Sequence, residues 1–202
     1  MRAIASDQIA DFAAIYDDDV ELVSISRPDT RHCEALSQKL IESRQLPQLR
    51  WVQKAGDPDA LANELPASID PELHAHLVEQ IVEASDVVGE LMGCEEVGIR
   101  LETLSAPMCP RFHVDYVPCR MLITLSGTGT EWIPSEEVDW PSFKNLDNTE
   151  PPLKSAGEIR HMGTGNWSLL KGGAWNDQYV GIVHRSPHER GERLLLSMDP
   201  IV

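Results

Sequence analysis

Four residues in the second half of the chain have the types and spacing of a metal site with an anion-binding arm: His113, Asp115, His184 and Arg193. His113 and Asp115 form a His-x-Asp pair within Arg111-Phe-His-Val-Asp-Tyr116. His184 lies in Gly181-Ile-Val-His-Arg-Ser-Pro187, and Arg193 opens the apolar run Arg193-Leu-Leu-Leu-Ser197. Two imidazoles and one carboxylate can take three facial positions of an octahedral metal and leave the opposite positions for exogenous ligands. An Arg nine residues after the second His suits a carboxylate-bearing co-substrate. Its planar fork grips a carboxylate with two parallel hydrogen bonds, which an ammonium cannot do. The competing reading is a local hydrogen-bonded His113–Asp115 pair, with Arg193 as the polar end of a strand.

Such residues need rigid elements to hold them. If residues 112 to 116 form a regular strand, His113 and Asp115 project from one face, because side chains two apart do so. His184 then sits near the end of an apolar strand, just before the turn marked by Ser186-Pro187. Val97 to Leu104 alternates with period two and predicts a further strand. Other candidate strands are Phe112 to Tyr116, Arg120 to Leu125, Thr130 to Ile133, Trp167 to Leu170, Tyr179 to His184 and Arg193 to Met198. The gap from Pro134 to Asn166 is too polar for core and predicts a loop over one barrel mouth, shaping specificity.

The first part of the chain reads differently. Asp29 can cap a helix running to about Arg44, with Cys33, Leu36, Leu40 and Ile41 at helical spacing. Asp70 followed by Pro71 predicts a second start, and the stripe Leu73, Leu77, Ile81, Ala84, Val88, Leu91 runs to Gly93, a C-cap residue. Val20 to Ile25 reads as a strand between an N-terminal helix and the next one. The expected class is α+β: a double-sheet jelly roll over 95–202, with a helix-rich N-terminal extension over 1–94 packed on one face, the two forming one compact domain.

From Val97 to Asp199 the order and spacing resemble the double-stranded β-helix of the Fe(II)/2-oxoglutarate-dependent oxygenases. That resemblance implies His113, Asp115 and His184 as ligands of Fe(II), with Arg193 on the distal carboxylate of 2-oxoglutarate. Many members carry Arg-x-Ser on the last strand; here Leu195 stands two after Arg193, and Ser197 comes two later. Lys171, Tyr116 or Thr124 could supply a further hydrogen bond to the co-substrate. The strings Cys109-Pro-Arg-Phe-His-Val-Asp115, Gly129-Thr-Glu-Trp132, Leu169-Leu-Lys-Gly172 and Val183-His-Arg-Ser-Pro187 are also similar to a bacterial group, the domain of unknown function 1826 family. Its loose link to zinc-responsive genes makes zinc the rival metal, with a non-catalytic zinc-binding protein of metal homeostasis as the rival function. Cys109, four residues before His113, would then be a candidate soft ligand.

Composition narrows the partners. The 202 residues carry a net charge of −16, which argues against nucleic-acid or anionic-membrane surfaces. Eleven Asp or Glu and no Lys or Arg lie between Lys54 and Arg100, the pattern of a solvated acidic helical face. The four cysteines are scattered without a Cys-x-x-Cys pair, a poor match to a zinc finger or a disulfide framework. With no apolar leader or spanning stretch in view, a soluble cytoplasmic protein acting on a small-molecule co-substrate and a further substrate is the expectation.

Overall fold

The computed structural model describes residues 1–28, 30–44, 48–61, 64–65, 69–188 and 191–202. In chain order the strands are β1 (Arg2–Ser6), β2 (Val20–Ile25), β3 (Leu49–Lys54), β4 (Glu96–Leu104), β5 (Cys119–Ser126), β6 (Glu131–Ile133), β7 (Arg160–His161), β8 (Trp167–Lys171), β9 (Val183–Arg185) and β10 (Arg193–Ile201). The helices are α1 (Thr30–Ser43), α2 (Pro58–Leu61), α3 (Pro71–Met92) and α4 (Trp140–Lys144), with a 3-10 helix at Ile9–Tyr16. No helix among the described residues is long and apolar enough to cross a membrane.

Helix α3 follows from its sequence signals. The Asp70 carboxylate accepts from the backbone N–H groups of Glu72 and Leu73 at 3.0 and 3.2 Å, Pro71 occupies the first turn, and Gly93 ends the helix in the left-handed region at φ 63°. Leu73, Leu77, Ile81, Ala84 and Val88 are buried against the sheet. Helix α1 contributes Leu36, Leu40 and Ile41 to the same core, while the expected Asp29 cap lies outside the described residues.

Seven strands form one sheet in the order β1-β2-β8-β5-β10-β4-β3, and three form a second, β7-β6-β9. Strict alternation sorts the two faces of the large sheet. Met121, Ile123 and Leu125 of β5 and Leu194, Leu196 and Met198 of β10 pack under the helices. Leu122 and Leu195 point the other way and meet Trp132 of the small sheet in a separate apolar cluster with Leu104, Leu170 and Ile182. A one-residue slip in either strand would exchange these faces.

Three features differ from the sequence expectations. Strands β1 and β3 are additional; they are the two edges of the large sheet, and their half-exposed side chains leave only a weak alternating pattern. Residues 112 to 116 make only an isolated bridge, His113 with His184. The carbonyls that would continue the ladder are taken by a turn instead: Gly173 N–H donates to Asp115, Ala174 to Val117 and Gly172 to Pro118. Likewise only 183–184 of the expected 179–184 strand is regular, within β9, because Tyr179 is held by Asn176 and Gly181 turns at φ 99°.

The third difference concerns residues 134 to 166. They are not a free polar loop, and two of them, Arg160–His161, are strand β7 itself. They fold through α4 and a bridge from Val138 to Leu153, and lay Val138, Trp140, Phe143, Leu153 and Ile159 on Phe112, Ile133 and Val183, on the outer face of the small sheet.

Gly172 marks where the His-x-Asp segment is pressed against β8. A Cβ there would lie 2.0 Å from the Val117 carbonyl oxygen, so Gly172→Ala must displace backbone. The expected cost is about 2–3 kcal/mol, read as a lower urea midpoint at unchanged m-value; an unchanged midpoint would show that the contact is slack.

Candidate metal centre

The period-two pattern of β4, β5 and β10 carries a second set of residues on the face away from the helices: Arg100, Arg120, Leu122, Arg193, Leu195 and Ser197. With His113, Asp115 and His184 these line a cavity of about 300 Å³ between the two sheets. The imidazoles arrive there as a directly opposed antiparallel pair. His113 N–H donates to His184 O at 2.9 Å and His184 N–H to His113 O at 3.0 Å, so both side chains leave the same face. Their ring centroids are 4.5 Å apart.

Each ring is fixed by its own strand. Nδ1 of His113 lies 3.0 Å from the Arg111 carbonyl, and Nδ1 of His184 lies 3.1 Å from the Ile182 carbonyl. A carbonyl can only accept, so each Nδ1 carries the proton and each Nε2 of a neutral ring presents a lone pair. Both Nε2 atoms face Asp115: 3.5 Å from His113 to Oδ1 and 3.1 Å from His184 to Oδ2. One ligand atom from each of the three residues falls within 4.8 Å of the others. Lone pairs aimed at a carboxylate repel unless a proton or a cation lies between them.

Asp115 is held as an anion. Burial works against its charge, but donation from the His113 and His184 rings when Nε2 bears a proton, with the nearby Arg120 charge, holds its carboxyl far below the usual range. For His113, burial opposes the charged ring, while the bonds to Asp115 and the Arg111 carbonyl outweigh it and raise the pKa. Arg120 Nη1 donates to Asp115 Oδ2 at 2.5 Å, and its Nε and Nη2 grip Asp199 at 2.6 and 2.7 Å. Asp199 also receives Arg100 at 2.9 Å. This chain of charges spans three neighbouring strands and fixes the carboxylate from behind. Replacing Arg120 by Gln leaves Asp115 without its guanidinium and Asp199 with Arg100 alone; we expect a loss of about 3 kcal/mol in urea unfolding of the metal-free protein, whereas an unchanged stability would mean the network is solvent-relaxed.

Arg193 closes the cavity on another side. Its side chain is buried, its one protein hydrogen bond runs from Nη1 to Thr128 O at 3.4 Å, and no carboxylate pairs with it among the described residues. Burial lowers its pKa to about 10, so it remains charged at neutral pH. Thr130, which also lines the cavity, has a buried hydroxyl with no partner among the described residues. A buried cation and an orphaned hydroxyl in one cavity are groups that await a ligand.

The remaining candidates separate cleanly. Lys171 shares the face of Trp167 and Leu169, under the helical layer, where its ammonium donates to the Asp17 carbonyl at 2.8 Å and sits over Trp175. Tyr116 is 88% exposed. Neither reaches the cavity, and both are corrected as co-substrate anchors. Thr124 points to the correct face but does not line the cavity. Cys109 lines the rim and is exposed; its sulfur is not among the converging donors. Arg111 ties down the carbonyls of Asn145 and Leu146. The pairing of Arg100 and Arg120 through Asp199 gave no sequence signal, since it depends on the register of strands far apart in the chain.

The profile of the family described as Protein of unknown function (DUF1826) matches residues 6–199. No curated protein matches the sequence. Among solved structures, the chain is similar to the dioxygenase for auxin oxidation of rice, at 13% identity and a TM-score of 0.56, covering 100% of this chain and 83% of that one. It is similar to the Arabidopsis thaliana dioxygenase for auxin oxidation 1 in its 2-oxoglutarate complex, at 9% identity and 0.52, covering 100% and 92%. A Pseudomonas putida prolyl-4-hydroxylase aligns at 10% identity and 0.51, covering 98% and 95%. At these identities the likeness is one of fold.

Proposed function

The chain belongs to the DUF1826 family, and we propose that it is an Fe(II)- and 2-oxoglutarate-dependent oxygenase. In this reading His113, Asp115 and His184 hold the metal and Arg193 holds the far carboxylate of 2-oxoglutarate. The two sheets are the two walls of a double-stranded β-helix: β8-β5-β10-β4 forms one, and β7-β6-β9 with the His113 bridge forms the other. Residues 1–94 add α1 and α3 outside the larger wall and lengthen it with β1, β2 and β3. Together with residues 95–202 they make one compact domain.

One observation carries the reading. Two imidazole lone pairs and a carboxylate converge at one side of a cavity in which a buried guanidinium lacks a counter-ion among the described residues. The donor set suits Fe(II), which accepts two imidazoles and one carboxylate and keeps positions open. When bound, iron supplies the redox chemistry that couples conversion of 2-oxoglutarate and O₂ to succinate and CO₂ with transfer of one oxygen atom to a substrate.

The protein's own residues do the positioning. The Arg111 and Ile182 carbonyls lock the imidazole tautomers. Arg120 occupies Asp115 Oδ2, which leaves Oδ1 as the freer ligand atom. Arg193 supplies the two-pronged contact for the distal carboxylate, Thr130 can donate to the same group, and Leu122 and Leu195 line the space for the carbon chain. The two auxin dioxygenases and the prolyl hydroxylase share the fold, and one of them is described with 2-oxoglutarate bound. That supports the co-substrate without naming a substrate. A closed zinc site would need a fourth donor, and the converging set among the described residues has three.

The test is succinate release from 2-oxoglutarate by protein loaded with Fe(II) under air. Turnover is expected; protein that binds iron tightly yet never consumes 2-oxoglutarate would refute the oxygenase reading.

A further inference from the structure

A second cavity, of about 260 Å³, lies on the opposite face of the small sheet, beneath the segment from 134 to 159. It adjoins the metal cavity, Arg185 lying on the lining of both: Phe112 and Arg185 neighbour His113 and His184 along the chain, and alternation turns Phe112 outward while the imidazoles point inward. Its walls combine a cation with an apolar body site. Arg185 has a side chain only 9% exposed and stacks its guanidinium 4.2 Å above the Phe112 ring. Its Nε satisfies Glu131 at 2.6 Å, but Nη1 and Nη2 have no protein partner among the described residues. Phe143 and Leu146 stand in the same cavity, Leu146 being 79% exposed with nothing covering it.

We propose that this cavity is a binding site for a small carboxylate with a flat apolar body, distinct from the co-substrate site. Two free N–H donors on one edge of a fixed guanidinium match the two oxygens of a carboxylate. The salt link to Glu131 and the stack on Phe112 hold that edge in place. The volume equals roughly nine water molecules, room for a single aromatic ring and its carboxylate. Glu150 lies on the lining and disfavours a second negative charge, so a monocarboxylate is preferred over a dicarboxylate such as 2-oxoglutarate. An occupant contacts the residues adjacent to both imidazoles.

The experiment is calorimetric titration of metal-free protein with benzoate, which keeps its outcome independent of iron loading and of turnover. One-to-one binding is expected, weakened at least tenfold in Arg185→Lys, which keeps the charge beside Glu131 but loses the fork. Thr149→Trp, at an exposed position on the cavity wall, should abolish it by filling the space. Arg193→Gln should leave it intact. No measurable binding, or binding lost in Arg193→Gln and kept in the other two variants, would overturn the proposal, the latter by placing benzoate in the metal cavity.

Discussion

Asp115→Ala is expected to abolish metal binding and, on the oxygenase reading, to reduce 2-oxoglutarate turnover to background. The reason is geometric and electrostatic together. Asp115 is the one anion among the converging donors, and it is already ionised because His113, His184 and Arg120 stabilise its charge. Without it a dication would meet two neutral imidazoles and the Arg120 guanidinium, a net repulsive field. His113→Ala should act in the same direction but leave residual binding, because the carboxylate and His184 persist. Metal content of protein dialysed against Fe(II) under nitrogen, together with succinate formation, reads both variants. The metal-loaded wild type should melt higher than the metal-free form, and that increment should vanish in Asp115→Ala. Retained stoichiometric iron in Asp115→Ala would remove the proposed coordination.

The second large effect falls on Arg193. Its Gln variant should bind 2-oxoglutarate more weakly by about 2–4 kcal/mol, or roughly 30- to 900-fold, while metal affinity in the absence of co-substrate stays near wild type. The same substitution removes a buried cation that has no counter-ion among the described residues. Stability of the metal-free protein should therefore hold or rise. That pairing discriminates roles: a merely structural Arg would lose stability when replaced and leave co-substrate affinity alone. Equilibrium titration with 2-oxoglutarate under nitrogen and thermal unfolding give the two readouts.

The parts of this molecule that could be read from its sequence are those with local periodicity. Helix α3 announces both ends, with Asp70-Pro71 at one and Gly93 at the other. The alternation of β4, β5 and β10 sorts helix-facing from cavity-facing residues. The same parity rule could have excluded Lys171, which lies two and four residues after Leu169 and Trp167 and so shares their covered face. The His-x-Asp pair and His184 were legible as residue types.

Less legible was how the site is assembled. The segment from 112 to 116 is too short of ladder partners to be a strand, yet a single bridge to His184 is enough to align both rings. Residues 134 to 166 read as polar because Val138, Trp140, Phe143, Leu153 and Ile159 fit neither helical nor strand spacing. They nevertheless form a layer on the outside of the small sheet. Edge strands β1 and β3 are half solvated and carry little pattern. The Arg100–Asp199–Arg120–Asp115 chain depends on register across three strands, information that no local window contains.

X-ray diffraction from crystals grown with Mn(II) and 2-oxoglutarate, using the anomalous signal of the metal, shows whether the three side chains hold one ion. One ion is expected, bonded to Nε2 of His113, an oxygen of Asp115 and Nε2 of His184, with 2-oxoglutarate completing its sphere and ending on Arg193. An ion bound elsewhere, a fourth protein ligand closing the sphere, or a co-substrate that does not reach Arg193 would contradict it.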